Sequence, residues 1–362
     1  MLEESVKNTI KKYNLIEKGD RIVLGVSGGP DSISMLNILY KLSKEMNFEI
    51  FCAHVNHGLR ENAKIDEAFV KSFCEEKNID FHVLHADVSK LAQDSKRGLE
   101  ETGRMVRYDF FDEVAKEVNA NKIAIAHNKN DKAETIIMNM LRGAGMAGLI
   151  GIEPVNGKYI RPLIESERSE IEKYCEEEKL NPRHDESNDD NKYTRNKVRN
   201  VVIPYVITNF NPNIIETISR LSEIAKDDLN YLDEVTEKEY KELVIAEETV
   251  GNEKIIRLKL KKFNEKNKAI QKRVLLYAIK RIFGSTQGIE KIHVEDMIKL
   301  CNNNIGNKYL TPNKKTKIVI KNKQIILSGQ IWLSVENLKN QMLQSYFIWK
   351  KLLHLIFFFA IF

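Results

Sequence analysis

Cysteine is scarce: four in 362 residues. Cys52, Cys74, Cys175 and Cys301 stand far apart, and no Cys-x-x-Cys pair occurs. A zinc ribbon, a redox dithiol and a disulfide framework are therefore not indicated. A secretory leader is also lacking, because Met1-Leu2-Glu3-Glu4-Ser5 has neither a basic nor an apolar region, so the cytoplasm is the default location. No apolar run reaches the about 20 residues that a membrane-crossing helix needs. There are no internal repeats. Two nucleotide fingerprints are missing as well. Ser27-Gly28-Gly29-Pro30-Asp31-Ser32 has no Walker A lysine, and Gly25-Val26-Ser27-Gly28 breaks the Gly-x-Gly-x-x-Gly spacing.

The charge is unevenly spread. Residues 241–362 carry 23 Lys+Arg against 9 Asp+Glu, and residues 1–240 carry 34 against 43. An acidic first part with a basic appendage suits a polyanionic partner such as RNA, although lysines on solvated faces give the same tally. At 42% hydrophobic and 30% charged, the composition is that of a soluble protein with room for two or three domains.

What is present centres on residues 27–32. The apolar run Ile22–Val26 precedes them and the periodic segment Ile33–Leu39 follows, which predicts strand, tight turn and helix. Gly28 and Gly29 permit a positive φ and close approach of backbone to a ligand. A helix start aims N–H groups and the positive dipole end at the same place. The segment therefore predicts a phosphate cradle, with Ser27 and Ser32 as hydroxyl donors and Asp31 as a magnesium ligand. A plain strand–helix turn is the competing explanation.

Further strands are expected at 48–53, 81–86 and 122–126. Helices are expected at 6–16, from the loop to about 46, at 61–77, through about 118, and to 142. This alternation predicts an α/β fold, a parallel sheet with helices on both faces. In such sheets ligands bind at the carboxyl ends of the strands, so the polar clusters at 27–32, 54–60 and 127–134 should converge. Helical segments at 167–179 and 194–199 complete a first domain over 1–212, with a polar loop over 184–191. A long helix from about 213 to 241 leads into a smaller, mainly helical second domain over 213–330. It should hold a strand at 254–262, helices at 265–283 and 290–301, and a hairpin at 317–321 and 324–328. Residues 331–362 form an atypical apolar tail ending Leu352-Leu353-His354-Leu355-Ile356-Phe357-Phe358-Phe359-Ala360-Ile361-Phe362, either a surface anchor or the product of a reading-frame change.

The loop at 27–32 resembles the pyrophosphate loop of ATP pyrophosphatases. An ordered series extends the resemblance: His54-Val55-Asn56-His57-Gly58-Leu59-Arg60, Gly98–Arg104, Ala126-His127-Asn128 with Asp131, Glu134 and Thr135, Arg142-Gly143, Arg161-Pro162-Leu163, and Thr194-Arg195-Asn196-Lys197-Val198-Arg199. Together they resemble the tRNA(Ile)-lysidine synthase family over about residues 1–330. The resemblance implies an adenine nucleotide alpha hydrolase-like fold. It also implies ATP-dependent ligation of L-lysine to C2 of the wobble cytidine in the isoleucine tRNA with a CAU anticodon. The reaction passes through an adenylated cytidine and releases AMP and pyrophosphate.

On this resemblance Ser27, Gly28, Gly29, Pro30, Asp31, Ser32, His54 and His57 bind ATP, with Mg2+ on Asp31. Arg104 neutralises charge at the α-phosphate, although a helix-surface arginine fits too. Asp131 and Glu134 form a lysine site, although Asp-x-x-Glu is also a helix cap. His127 lines the nucleotide site or ends a strand. Arg60 is a phosphate contact or merely exposed. Arg195 and Arg199 share a helical face and meet lysine's carboxylate, tRNA phosphate or solvent. Lys259, Lys261, Lys262, Lys266, Lys272 and Arg273 are diffuse candidates for tRNA contact. The partners implied are that tRNA and free lysine, with no stable membrane partner and a homodimer left open. Full-length relatives carry a further C-terminal domain that is expected to be missing here. Two other functions stay open: another adenylating enzyme of this loop class, related to NAD or GMP synthetases, or an inactive nucleotide-binding copy.

Overall fold

Strand β1 (Arg21–Gly25) shows why helices cover both faces of the first sheet. Side chains alternate along a strand. Ile22 and Leu24 enter one core with Leu36, Ile38 and Leu39, while Val23 enters another with Phe51, Phe111 and Val114. Its neighbours divide the same way, Cys52 and Ala124 to the first core, Ala53 and Ile123 to the second. A strand buried on both faces reads as a continuous apolar run, and that is its sequence.

The computed structural model describes residues 2–58, 63–183, 192–303, 309–313 and 315–330. Arg60, the loop expected at 184–191 and the tail over 331–362 lie outside these. The chain divides into two units, residues 1–227 and 228–362, and the division falls within one long helix rather than at 212. Among the described residues no helix is long and apolar enough to cross a membrane.

In the first unit the order is α1 (Leu2–Tyr13), β1, α2 (Pro30–Met46), β2 (Glu49–Asn56), α3 (Ala63–Lys77), β3 (Asp80–His85), α4 (Val88–Ser95), α5 (Leu99–Glu117), β4 (Lys122–Ile125) and α6 (Lys129–Leu141). A short 3-10 turn (Met146–Leu149), β5 (Val155–Asn156), β6 (Tyr159–Ile160) and α7 (Arg168–Glu177) follow. Then come α8 (Thr194–Lys197), a π-helical turn (Val198–Val202), α9 (Ile203–Asn209) and the start of α10 (Ile214–Leu243). The strand order is β3-β2-β1-β4-β6-β5, parallel except for the pairing of β5 with β6. The chain winds outward from β1 to β3 and then returns to the other side of β1 with β4. That reversal opens a crevice at the carboxyl ends of β1 and β4. The α/β expectation holds. Helix α4 arises in a stretch expected to be merely polar, with the Asp87 side chain capping it by accepting from Lys90 N–H at 3.0 Å.

The second unit holds the rest of α10, β7 (Val244–Val250), β8 (Glu253–Lys259), α11 (Leu260–Asn264), α12 (Lys268–Phe283), α13 (Lys291–Asn303), β9 (Tyr309–Asn313), β10 (Thr316–Lys321) and β11 (Gln324–Gln330). The expected helices are present, and an antiparallel sheet in the order β7-β8-β11-β10-β9 accompanies them. Phe263, Leu275, Ile279, Met297, Ile318 and Leu327 fill its core. The sequence disclosed β8 and the β10–β11 hairpin but not the edge strand β7, whose side chains are mostly exposed and carry no apolar alternation.

Candidate active site

The turn after β1 is shaped from within by Ser32. Its Oγ accepts the N–H of Ser27 at 3.1 Å and of Gly28 at 3.2 Å, and donates to the Gly29 carbonyl at 3.1 Å. Only 5% of Ser32 is exposed, so this hydroxyl is first a brace for the loop. Gly28 takes φ +94°, which explains a glycine there, and its carbonyl accepts the Arg183 N–H at 2.9 Å. Gly29 caps α2 and Pro30 opens it, a position where a missing N–H costs nothing. The remaining first-turn N–H groups of Asp31 and Ser32 have no acceptor within the helix. Ser27, Gly29, Pro30, Asp31 and Ser32 all line one cavity of about 500 Å³, and Gly28 does not.

Asp31 is tied across the crevice. Asn128 Nδ2 donates to Asp31 Oδ1 at 2.9 Å, joining the start of α2 to the start of α6. Burial pushes the Asp31 carboxyl up to about 6, and the nearby Asp131 charge adds to this, with Arg168 opposing. Among the described residues no cluster of three or more His, Cys, Asp or Glu side chains could cage a metal. A lone carboxylate beside a phosphate loop still suits Mg2+, which keeps several waters and takes one or two carboxylates plus phosphates.

Asp131 and Glu134 lie on the first two turns of α6, 7% and 1% exposed. The cap expected from Asp131 and Glu134 lies one turn earlier, with Asn128 as the cap and Asp131 as its partner, and Glu134 takes no part in it. Asp131 completes a capping box, accepting the Asn128 N–H at 3.1 Å while Asn128 Oδ1 accepts the Asp131 N–H at 2.9 Å. Its Oδ1 also takes Nη2 of Arg195 and of Arg199, each at 3.0 Å. Glu134 takes Arg195 Nε at 2.9 Å and Arg199 Nε at 2.6 Å. Arg168 Nη2 stands 3.9 Å from Glu134. Arg195 and Arg199 are thus not a solvated face. A buried carboxylate is tolerated only when paired in this way. The π turn over 198–202 begins at the residue between Arg195's helix and Arg199, where such turns commonly mark functional sites.

The histidines differ. His54 lies within β2, 3% exposed, and its Nδ1 donates to the Val26 carbonyl at 2.8 Å. Burial lowers its basicity. His57 follows the strand, and both line the cavity. His127 lines it too, with Nδ1 accepting from Arg161 Nε at 3.1 Å. Burial and the charges of Arg161, Arg195, Arg104 and Arg107 push its imidazolium down to about 3.

Arg104 does not line the cavity. It is exposed, stacks 4.6 Å over the Tyr108 ring and donates to the Tyr108 hydroxyl at 3.1 Å. Arg107, one turn later, lines the cavity instead, with Arg168, Arg183 and Arg199. Helical spacing from Arg104 offered a signal for Arg107. Arg168 and Arg183 come from distant segments and had none. In the second unit Lys266 pairs with Glu239, Arg273 with Asp233 at 3.0 Å, and Lys259 donates to the Glu242 carbonyl at 3.0 Å, whereas Lys261 and Lys262 are exposed.

Residues 1–206 match the family model of the PP-loop domain. A tRNA(Ile)-lysidine synthase of Clostridioides difficile is 41% identical over 91% of this chain and 71% of its own length. One from Clostridium acetobutylicum is 44% identical over 85% of this chain and 66% of its own length. The chain thus spans about two thirds to seven tenths of these relatives. The fold is similar to that of a U34-tRNA thiolase of Methanococcus maripaludis at TM-score 0.52 and 21% identity, over 62% of this chain and 78% of that one. The braced glycine turn, the crevice beside β1 and the ordered match to curated relatives agree, and the chain belongs to the tRNA(Ile)-lysidine synthase family of PP-loop proteins.

Proposed function

We propose that this chain ligates L-lysine to C2 of the wobble cytidine of the CAU-anticodon isoleucine tRNA, using ATP. The observation that carries this is the Asn128 bridge. It joins Asp31 of the glycine turn to the start of α6, the helix that carries Asp131 and Glu134.

A cytidine C2 carbonyl is a poor electrophile. Attack of its oxygen on the α-phosphorus of ATP expels pyrophosphate and leaves AMP as a leaving group. The lysine amine then bonds to C2, AMP departs, and the amine proton is released. The α2 N-terminus and the N–H groups of the turn bind the phosphates. Arg107, Arg168, Arg183 and Arg199 supply preorganised positive charge around them. Arg104, held by Tyr108 on the same helix as Arg107, joins that field from the rim. His54 and His57 form the wall after β2, beside the nucleotide. Asp31 would hold Mg2+, which neutralises phosphate charge when bound.

The carboxylate–arginine cluster provides for a free amino acid at both ends. Asp131 and Glu134 would take its ammonium, and Arg195 with Arg199 its carboxylate, in exchange for the ion pairs these four make with one another. The exposed Lys261 and Lys262 offer backbone contacts to tRNA.

Radiolabelled lysine, ATP, Mg2+ and the isoleucine tRNA transcript test this. Lysine should enter the tRNA with equal release of AMP and pyrophosphate, and EDTA or a C-to-U change at the wobble position should stop it. Pyrophosphate release without lysine incorporation would refute the ligation.

A further inference from the structure

Arg161 is a nearly buried cation, 5% exposed, just past β6. Its Nη1 donates to the Glu153 carbonyl at 2.7 Å, and its Nε donates to His127 Nδ1 at 3.1 Å. A guanidinium has donors and no acceptor. The Nδ1 of His127 must therefore present a lone pair and carry no proton. A neutral imidazole then has its single proton on Nε2. The ring lines the cavity, and among the described residues no protein acceptor engages that Nε2–H. A base needs a free lone pair facing its substrate, and this ring has given its own to Arg161.

We propose that Arg161 is a positioning residue, fixing His127 as the Nε2–H tautomer so that the ring donates to a nucleotide phosphoryl oxygen and does not accept the lysine proton. The surroundings favour a neutral donor. Arg104 and Arg107 on α5, Arg195 on α8 and Arg161 itself place positive charge around a buried ring, which disfavours an added proton. The arginine-rich wall suits an anionic oxygen as the acceptor. The choice of phosphoryl oxygen rests on the adenylation proposed above; the tautomer rests on geometry alone.

Imidazole nitrogen NMR of isotope-labelled protein tests this, with His127 assigned by comparison with H127Q. A single Nε2–H pattern that does not titrate between about pH 5.5 and 8.5 is expected. Its signal should shift when α,β-methylene-ATP and Mg2+ bind. In R161M the Nδ1–H tautomer should appear, because nothing then occupies that lone pair. The variant's kcat/KM for pyrophosphate release should fall about tenfold. R161K, which keeps a donor, should recover part of the loss. An Nδ1–H pattern or a midpoint within that range in the native protein would overturn the inference, as would an analogue that binds without moving the Nε2–H signal. If R161M does not fold, the native pH series still decides. If the analogue does not bind, the adenylation fails, and the pH series alone decides the tautomer.

Discussion

Asn128 Nδ2 and Asp31 Oδ1 meet at 2.9 Å across the crevice where the sheet order reverses. The same asparagine caps α6 through Oδ1, so one side chain fixes a helix start and a neighbouring carboxylate. N128A should lose about 1 kcal/mol of stability for the cap, together with ATP turnover. N128S keeps a capping hydroxyl and loses only the reach to Asp31. Urea melts and pyrophosphate release should separate the two, with N128S close to native in stability and still impaired in turnover.

The Asp31 carboxyl sits at about 6 when folded and about 3.9 when unfolded. Between these values the folded state holds the proton more often, so metal-free stability falls as pH rises through this window. Above it the cost levels off at up to about 3 kcal/mol. D31N removes the charge. It should be more stable than the native protein at pH about 7.5, by about 1–3 kcal/mol, while losing ATP turnover. A D31N melt below the native one at that pH would contradict this.

Glu134 is 1% exposed and held by Arg195 and Arg199. R199M should cost about 2–3 kcal/mol, because a buried carboxylate loses the two hydrogen bonds that Arg199 gives it. E134Q/R199M should recover part of that loss, showing coupling in a double-mutant cycle. E134Q alone should raise the KM for lysine more than that for ATP in the ligation assay.

A Cβ at Gly25 would fall 2.6 Å from the Phe111 ring. G25A should destabilise by about 1–3 kcal/mol through overpacking, and F111L should relieve part of it. Thermal melts of the two single variants and the pair decide.

Much of the fold was legible because local signals agreed. The apolar runs of β1, β2 and β4 are buried on both faces, and glycine and proline punctuated α2. Helix α4 and strand β7 were not legible. One is short and mostly polar, the other is an exposed edge, and neither imprints a periodicity. The strand–turn–helix at residues 27–32 could be named residue by residue, although Ser32, expected as a donor to a ligand, is the internal brace of the turn.

The sequence by itself determined the parallel sheet, the glycine turn and the family, because these depend on short-range patterns of apolar period, turn chemistry and motif spacing. Tertiary structure alone decided that Arg107 rather than Arg104 faces the cavity, that Arg195 and Arg199 close on Asp131 and Glu134, and that Arg161 takes the lone pair of His127. Those pairings join residues up to 68 positions apart. Which distant charges meet is set by how helices pack on the sheet, and no local stretch of chain encodes that.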